Sequence, residues 1–341
     1  MSELIPLIEK AMINFSLSNR GDGVGHGSSK SGGVVQPLRE TVPIRERDAF
    51  LFTMPAYSGV DGVLATKLVT LFPRNKDVPT HHGVIVLMSA DNGSVLSFLD
   101  AEVITEMRTA AASAVATKYL AASSSSCPSL KLGVVGSGVQ ARGHVRALRH
   151  VRDFSEIRVW SPDPRKVRDF VEEFRNEAAA SAGDGASSSS TPFIACGSAA
   201  ETVADADVIV TATLAREPIL FRQWVKPGAH INAVGAPRPD QRELDGELVR
   251  SSHVVVDSLE GALVEAGDLI INEAQDRIVG ELGAVATMTE DERRKLLKGG
   301  EDGQPECCGK ETTIFKNLGM AIQDAVAAKY VYDKVIGSGR M

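Results

Sequence analysis

Gly136, Gly138 and Ala141 stand in G-x-G-x-x-A spacing within LKLGVVGSGVQA. In that spacing the first glycine permits a tight turn, and the second lets the backbone approach a pyrophosphate. The small third residue lets a helix pack closely on a strand, and the helix N-terminus supplies oriented N–H groups and positive dipole. Ser137, Val139 and Gln140 fill the remaining positions of the loop. The chemistry is therefore the holding of a dinucleotide. Such sites read the adenosine ribose about 20 residues further on, where an Asp or Glu suits a free 2′-hydroxyl. Here the second strand is expected to end at Trp160, Ser161 and Pro162 follow, and Asp163 comes late. Arg165, Lys166 and Arg168 cluster behind it. The cluster favours NADPH over NADH, the alternative being that these cations form only a solvated helix face.

Two further cations occupy apolar company. In the strand expected over Leu64–Phe72, alternation puts Lys67 on one face with Val63, Ala65, Val69 and Leu71. On the helix expected over Ala101–Leu120, Arg108 lines up with Ile104, Ala111, Val115 and Tyr119. A buried unpaired cation is very costly, so each needs an anion. An internal carboxylate would serve; so would a pocket built for a substrate carboxylate, which two such cations in neighbouring elements suggest. Arg39, in the strand expected over Val34–Ile44, is a weaker third member.

The elements that must position these residues alternate in the middle of the chain. Apolar, largely β-branched runs at Lys131–Val135, Glu156–Trp160, Pro192–Cys196, Asp207–Thr213, His230–Val234 and His253–Asp257 read as strands. Helical segments at Gln140–His150, Pro164–Ala178, Ser198–Ala204 and Leu244–Arg250 separate them. This is an α/β fold, a Rossmann-type doubly wound parallel sheet. The N-terminal third predicts a second, mostly antiparallel α+β domain, with further strands at Ala49–Pro55, Gly83–Ser89 and Ser94–Asp100 and a hairpin turn at Asp91-Asn92-Gly93. Ile314–Tyr332 reads as a helix that completes this domain. The expected division is residues 1–120 plus 312–341 for dimerisation and substrate, and 121–311 for the dinucleotide.

Composition narrows the function. A net charge of −7 without a basic stripe argues against nucleic acid. MSELIPLIEKAMINF lacks the basic start and long apolar core of a signal peptide, and no segment reaches membrane-spanning length. Cys127, Cys196, Cys307 and Cys308 show no metal-ligand or disulfide spacing, so no metal is expected and a reducing, cytoplasmic setting fits. Asn19–Gly33, Ala178–Thr191 and Glu290–Lys310 read as insertions without chemistry, the last a short helix followed by loop, and His26 as a solvated loop residue.

The segments GGVVQPLRETVPI, MPAYSG, ATKLVTLFP, VITEMRTAAASAVATKYL, VVGSGVQA, ATLAREPILF, WVKPGAHINAVGAPRPDQRELD, VDSLEGALVEAGD and ETTIFKNLGMAIQDAVAAK together resemble the ornithine cyclodeaminase/μ-crystallin family over nearly the whole chain. The resemblance implies a homodimer and NADPH-dependent reduction of the C=N bond of cyclic ketimines, such as piperideine-2-carboxylate, pyrroline-2-carboxylate and thiomorpholine analogues. It implies that Arg39, Lys67 and Arg108 hold the substrate carboxylate and that Thr80, His81, Arg108 and Thr109 touch the cofactor. Ser161, Pro162, Asp163 and Arg165 stand where the adenosine ribose is read. Thr213, Leu214, Val234, Gly235 and Ala236 line the cofactor at strand ends, Asn317 reaches the nicotinamide side, and Glu260 matches a ligand-pocket position. A thyroid-hormone-type ligand for the same pocket is implied as well.

Three departures matter. Cyclodeaminases carry an aspartate after the fifth strand, where this chain reads Val234-Gly235-Ala236-Pro237, which argues against ornithine deamination. Trp160-Ser161-Pro162-Asp163 replaces a W-N-R-T and removes an arginine that would grip a 2′-phosphate, so NADH stays open. The family's first strand, ahead of the N-terminal helix, is missing. Ketimine reduction is the leading expectation, with Lys67 best placed to handle a proton near the imine nitrogen. An alanine-dehydrogenase-like enzyme, or a hormone-binding or structural crystallin-type protein with vestigial catalysis, is the alternative.

Overall fold

The computed structural model describes residues 1–19, 33–121, 129–181, 191–297 and 311–338; His26, Cys127, Cys307, Cys308 and most of the three expected insertions lie outside them. The chain divides into two units: Met1–Ala112 with Leu282–Thr287 and Gly319–Met341, and Ser113–Glu281 with Met288–Leu318.

The first unit opens with α1 (Leu4–Asn19), whose Leu4, Ile5, Ile8, Ala11, Met12 and Phe15 form one buried stripe. The strands β1 (Val34–Val35), β2 (Glu40–Ile44), β3 (Ala49–Ser58), β4 (Val63–Leu71), β5 (His81–Met88) and β6 (Val95–Asp100) follow. They form one sheet in the order β1-β3-β4-β5-β6, with β2 also paired to β3, and every pairing is antiparallel. The β5–β6 hairpin turns at the expected Asp91-Asn92-Gly93, with Gly93 at φ 75°. The expected continuous strand Val34–Ile44 is interrupted. Pro37 offers no N–H to a ladder, and Gln36 turns aside so that its Oε1 accepts the Ile322 N–H at 2.8 Å. Arg39 consequently sits in the gap between two strands and not within one.

The helix α2 (Glu102–Leu120) begins in the first unit and ends in the second. The second unit continues through β7 (Leu130–Val135), α3 (Val139–Leu148), β8 (Phe154–Trp160), α4 (Pro164–Ser181), β9 (Phe193–Ala195), α5 (Ala199–Val203), β10 (Val208–Thr211), β11 (His230–Ala233), α6 (Gly246–Arg250), β12 (His253–Val256), α7 (Leu259–Glu265), α8 (Gly267–Ile270) and β13 (Ile278–Glu281). After α9 (Leu282–Ala286), which belongs to the first unit, come α10 (Glu290–Leu297), β14 (Thr313–Lys316) and α11 (Ala321–Gly337).

The sheet of the second unit runs β13-β12-β14-β11-β10-β7-β8-β9, parallel throughout. Strand order reverses at β7, so β8 and β9 build outward on one side and β10 and β11 on the other, which is the doubly wound arrangement. The core beneath it is aliphatic, including Val135, Ile209, Ile231, Leu248, Val256 and Ile314. Among the described residues no helix is long and apolar enough to cross a membrane.

Ile314 corrects the expected helix Ile314–Tyr332. Thr313–Lys316 is a fully buried strand between β11 and β12, and helix resumes only at Ala321. Four buried residues carry too little periodicity to distinguish a strand from a helix start. The expected division at 311/312 therefore moves: β14 lies with the parallel sheet, and the chain leaves that unit after Leu318.

Candidate active site

In the first unit, β4 places Lys67 inward through strand alternation, 2 % exposed, and α2 places Arg108 inward, 3 % exposed. Both reach the same carboxylate. Lys67 Nζ lies 2.7 Å from Asp324 Oδ2, and Arg108 Nε donates to Asp324 Oδ1 at 2.9 Å. Arg108 Nη1 also donates to Gln323 Oε1 at 2.9 Å. Arg39, half-buried, donates from Nη2 to the Gly319 carbonyl at 3.3 Å. The internal carboxylate that the buried cations require is thus Asp324 of α11, shared between two of them. Burial pushes the Lys67 amine down to about 8, with the Arg108 and Arg39 charges acting in the same direction and Asp324 against it. Such an amine holds a proton at neutral pH and yields it within a unit or so of that range.

Asp324 and Gln323 escaped the sequence reading. Their signal was present: an acid and an amide side by side within the Ala-rich run AIQDAVAAK, both fully buried in α11. Elsewhere in the unit, Thr80 is half-buried just ahead of β5 and its Oγ1 lies 3.0 Å from Nδ1 of His81, an exposed residue. Thr109 is buried on α2, its hydroxyl donating to the Thr105 carbonyl at 2.7 Å.

In the second unit, β7 runs directly into the glycine loop. Gly136 has φ +122°, and a Cβ there would stand 2.5 Å from the Ala212 carbonyl, so only glycine lets the β7 and β10 ends lie together. Gly138 is the N-cap of α3, has no side-chain cap, and has open space where a Cβ would point. The uncapped N–H groups of α3, with exposed Val139, half-buried Gln140 and buried Ala141 beyond, form a cradle that suits a pyrophosphate. A dinucleotide therefore fits the residues present.

Ser137 and Ser161 are buried against one another, Ser137 Oγ donating to Ser161 Oγ at 2.8 Å. Pro162 is exposed, and Asp163 starts α4 by accepting the Arg165 N–H at 3.0 Å. The Arg165 side chain folds back on the same carboxylate, Nε to Oδ1 at 3.1 Å and Nη2 to Oδ2 at 3.0 Å, and its guanidinium holds the Asp163 carboxyl below its ordinary range. The Arg165 charge is thus already engaged, by an acid that would repel a 2′-phosphate.

At the far side of the reversal, Thr213 and exposed Leu214 follow β10, and Val234, Gly235 and Ala236 follow β11, with Ala236 at φ 52°. Asn317 follows β14, buried, its Nδ2 donating to Ser113 Oγ at 3.0 Å. Ser113 Oγ also lies 2.9 Å from Nε2 of His144, a neutral imidazole that burial drives to about 4. Glu260 is exposed on α7. Among the described residues no group of three His, Cys, Asp or Glu side chains could hold a metal ion.

The family model for ornithine cyclodeaminase/mu-crystallin matches residues 23–339. The chain is 43 % identical to the ketimine reductase mu-crystallin of Rattus norvegicus, over 97 % of this chain and 92 % of that one. It superposes on the Δ1-pyrroline-2-carboxylate reductase of Thermococcus litoralis, solved with NADH and L-proline, with a TM-score of 0.82 and 33 % identity over 99 % of this chain and 94 % of that one. An archaeal alanine dehydrogenase dimer with bound NAD gives a TM-score of 0.79 at 27 % identity, covering 99 % and 92 %. The chain belongs to the ornithine cyclodeaminase/mu-crystallin family.

Proposed function

We propose that this chain is an NAD(P)H-dependent reductase of cyclic ketimines, adding hydride to the C=N carbon of a ring that carries a 2-carboxylate. The observation that carries this reading is the pairing of Lys67 and Arg108 on the one carboxylate of Asp324. Two buried cations in contact with one anion leave a positive charge over, and a small carboxylate is the partner that charge selects. The similarity to reductases of pyrroline-2-carboxylate and other ketimines supports the same substrate class.

Lys67 and Arg108, with Arg39 beside them, anchor the substrate carboxylate, and the ring is oriented through that anchor. Lys67 Nζ has donors beyond the one directed at Asp324, and its lowered proton affinity suits it to hold or pass a proton at the ring nitrogen, keeping the imine protonated and its carbon electrophilic. Gly136 to Ala141 hold the pyrophosphate, Ser161 to Arg165 the adenosine ribose, and Thr213, Leu214, Val234 to Ala236 and Asn317 the nicotinamide half. Bound NADPH or NADH supplies the hydride. Thr80, His81 and Thr109 are further cofactor contacts in this reading, and Glu260 a ligand contact. The active form is a homodimer.

Purified protein mixed with piperideine-2-carboxylate or pyrroline-2-carboxylate and either NADPH or NADH should consume reduced cofactor, read as absorbance loss, without added ammonia. A rate that requires ammonia and pyruvate would instead assign an alanine-dehydrogenase activity. Cofactor binding without ketimine turnover would leave a binding role, for a hormone-type carboxylate among others.

A further inference from the structure

We infer that Glu243 is a positioning residue for the nicotinamide half of the dinucleotide, acting through the two strand ends that carry it. The inference rests on the dinucleotide reading above. In a doubly wound sheet the ligand crosses the carboxyl ends of the strands where their order reverses. With β7 at the reversal, the glycine loop and β8 end serve the adenosine half, and the ends of β10 and β11 serve the other.

Glu243 is fully buried, and its carboxylate takes its four hydrogen bonds from those two ends. Oε1 accepts the Thr213 N–H at 2.6 Å and the Thr213 hydroxyl at 2.7 Å. Oε2 accepts the Gly235 N–H at 2.9 Å and the Thr211 hydroxyl at 2.7 Å. One carboxylate thus fixes the chain after β10 and the chain after β11 in a single register. The approach is so close that a Cβ on Gly235 would lie 2.3 Å from the Glu243 carboxyl carbon.

The clamp is itself anchored. Asp268 Oδ1 accepts the Glu243 N–H at 2.7 Å and the Leu244 N–H at 3.0 Å. Asp268 Oδ2 accepts from Lys316 Nζ at 2.8 Å, and the same ammonium donates to the Gly235 carbonyl. Lys316 closes β14 and immediately precedes Asn317, so the third strand end on this side is tied to the same network. A buried carboxylate and a buried ion pair are costly features that a purely structural loop does not need. Here they hold three strand ends on one half of the site.

Glu243→Gln separates positioning from general support. Each carboxylate oxygen takes one backbone N–H, which can only donate, so an amide of the same shape satisfies one loop and confronts the other with a donor. The titration compares NADPH and NADH with ADP-ribose and its 2′-phosphate, which occupy the adenosine side alone. The expected result is dinucleotide affinity lowered about 10-fold or more, with a matching rise in KM, while the fragments bind as in the unaltered protein. Equal weakening of fragments and dinucleotides, or no change in either, overturns the inference. Thr211→Val removes one donor isosterically and should give the same split at about 3-fold; dinucleotide affinity unchanged there would overturn it even if Glu243→Gln failed to fold. Failure of the unaltered protein to bind any dinucleotide would instead overturn the reading on which the inference rests.

Discussion

Replacing Asp324 by Asn tests the electrostatic basis of the proposed site. The substitution keeps side-chain shape but removes the one negative charge that Lys67 and Arg108 share. With a Lys67 Nζ to Asp324 Oδ2 distance of 2.7 Å, charge centres about 4 Å apart attract by about 4 kcal/mol at an effective dielectric of about 20. Since 1.36 kcal/mol corresponds to one decade in proton affinity, losing Asp324 lowers that of Lys67 by about three decades. The amine already releases its proton at about 8, so at pH 7 the charged fraction should fall about 100-fold. The protein thereby sheds a proton instead of burying two unpaired cations, and the variant should fold with a stability loss below the roughly 3–5 kcal/mol of a broken buried pair. The assay is the pH dependence of kcat/KM for ketimine reduction. In the unaltered protein activity should decline as pH rises through about 8; in Asp324→Asn the decline should move to acid pH and the pH 7 rate fall about 100-fold. Retention of the original basic limb and rate would refute the coupling of Asp324 to the Lys67 proton.

Lys67→Met should fold and abolish the basic limb with most of the turnover, and unchanged turnover would remove Lys67 from the mechanism. Its stability carries a sign as well. The folded chain releases the Lys67 proton at about 8 and the unfolded chain at 10.5, so between those values the unfolded state binds more protons. Stability relative to Lys67→Met should therefore rise with pH across that window, by about 3 kcal/mol in total, measured by denaturant unfolding. Gly319→Ala should raise the ketimine KM at least about 10-fold, because Gly319 has φ +83° and a Cβ there would stand 2.3 Å from Arg108 Nη1; an unaltered KM would separate Arg108 from substrate binding. Asp163→Asn should shift the kcat/KM ratio toward NADPH by about 10-fold, by freeing the Arg165 guanidinium and removing a charge that repels a 2′-phosphate; an unchanged ratio would place the ribose elsewhere.

The central alternation was legible because buried parallel strands are nearly continuous apolar runs, and the glycine loop because its spacing follows from backbone geometry. Lys67 and Arg108 were legible for a related reason: a cation repeating with apolar residues at strand or helix period must be inside, whatever its partner. The partners were not. Asp324 lies far along the chain, in a helix with its own period, and nothing local to Lys67 encodes the tertiary contact. Glu243 was masked differently, because its neighbours in PDQRELD are charged and polar, a pattern that describes a solvated loop. Lys316 hid the strand β14 for the same reason, since a lysine in a four-residue core strand contradicts the apolar run by which core strands are recognised.

These partners share a physical character that explains both their concealment and their use. A buried carboxylate is tolerated only when donors converge on it from several elements, so its existence depends on the tertiary structure and cannot be read before that structure is known. The same dependence makes it an effective positioning device. Asp324 can hold Lys67 and Arg108 in one geometry because β4, α2 and α11 are already fixed by packing, and Glu243 can register two strand ends because the N–H groups of both converge on its one carboxylate. Replacing either acid by its amide should accordingly change function more than it changes fold. A variant of either kind that lost stability in proportion to activity would show the acids serving the core, and would remove the reason for assigning them to the site.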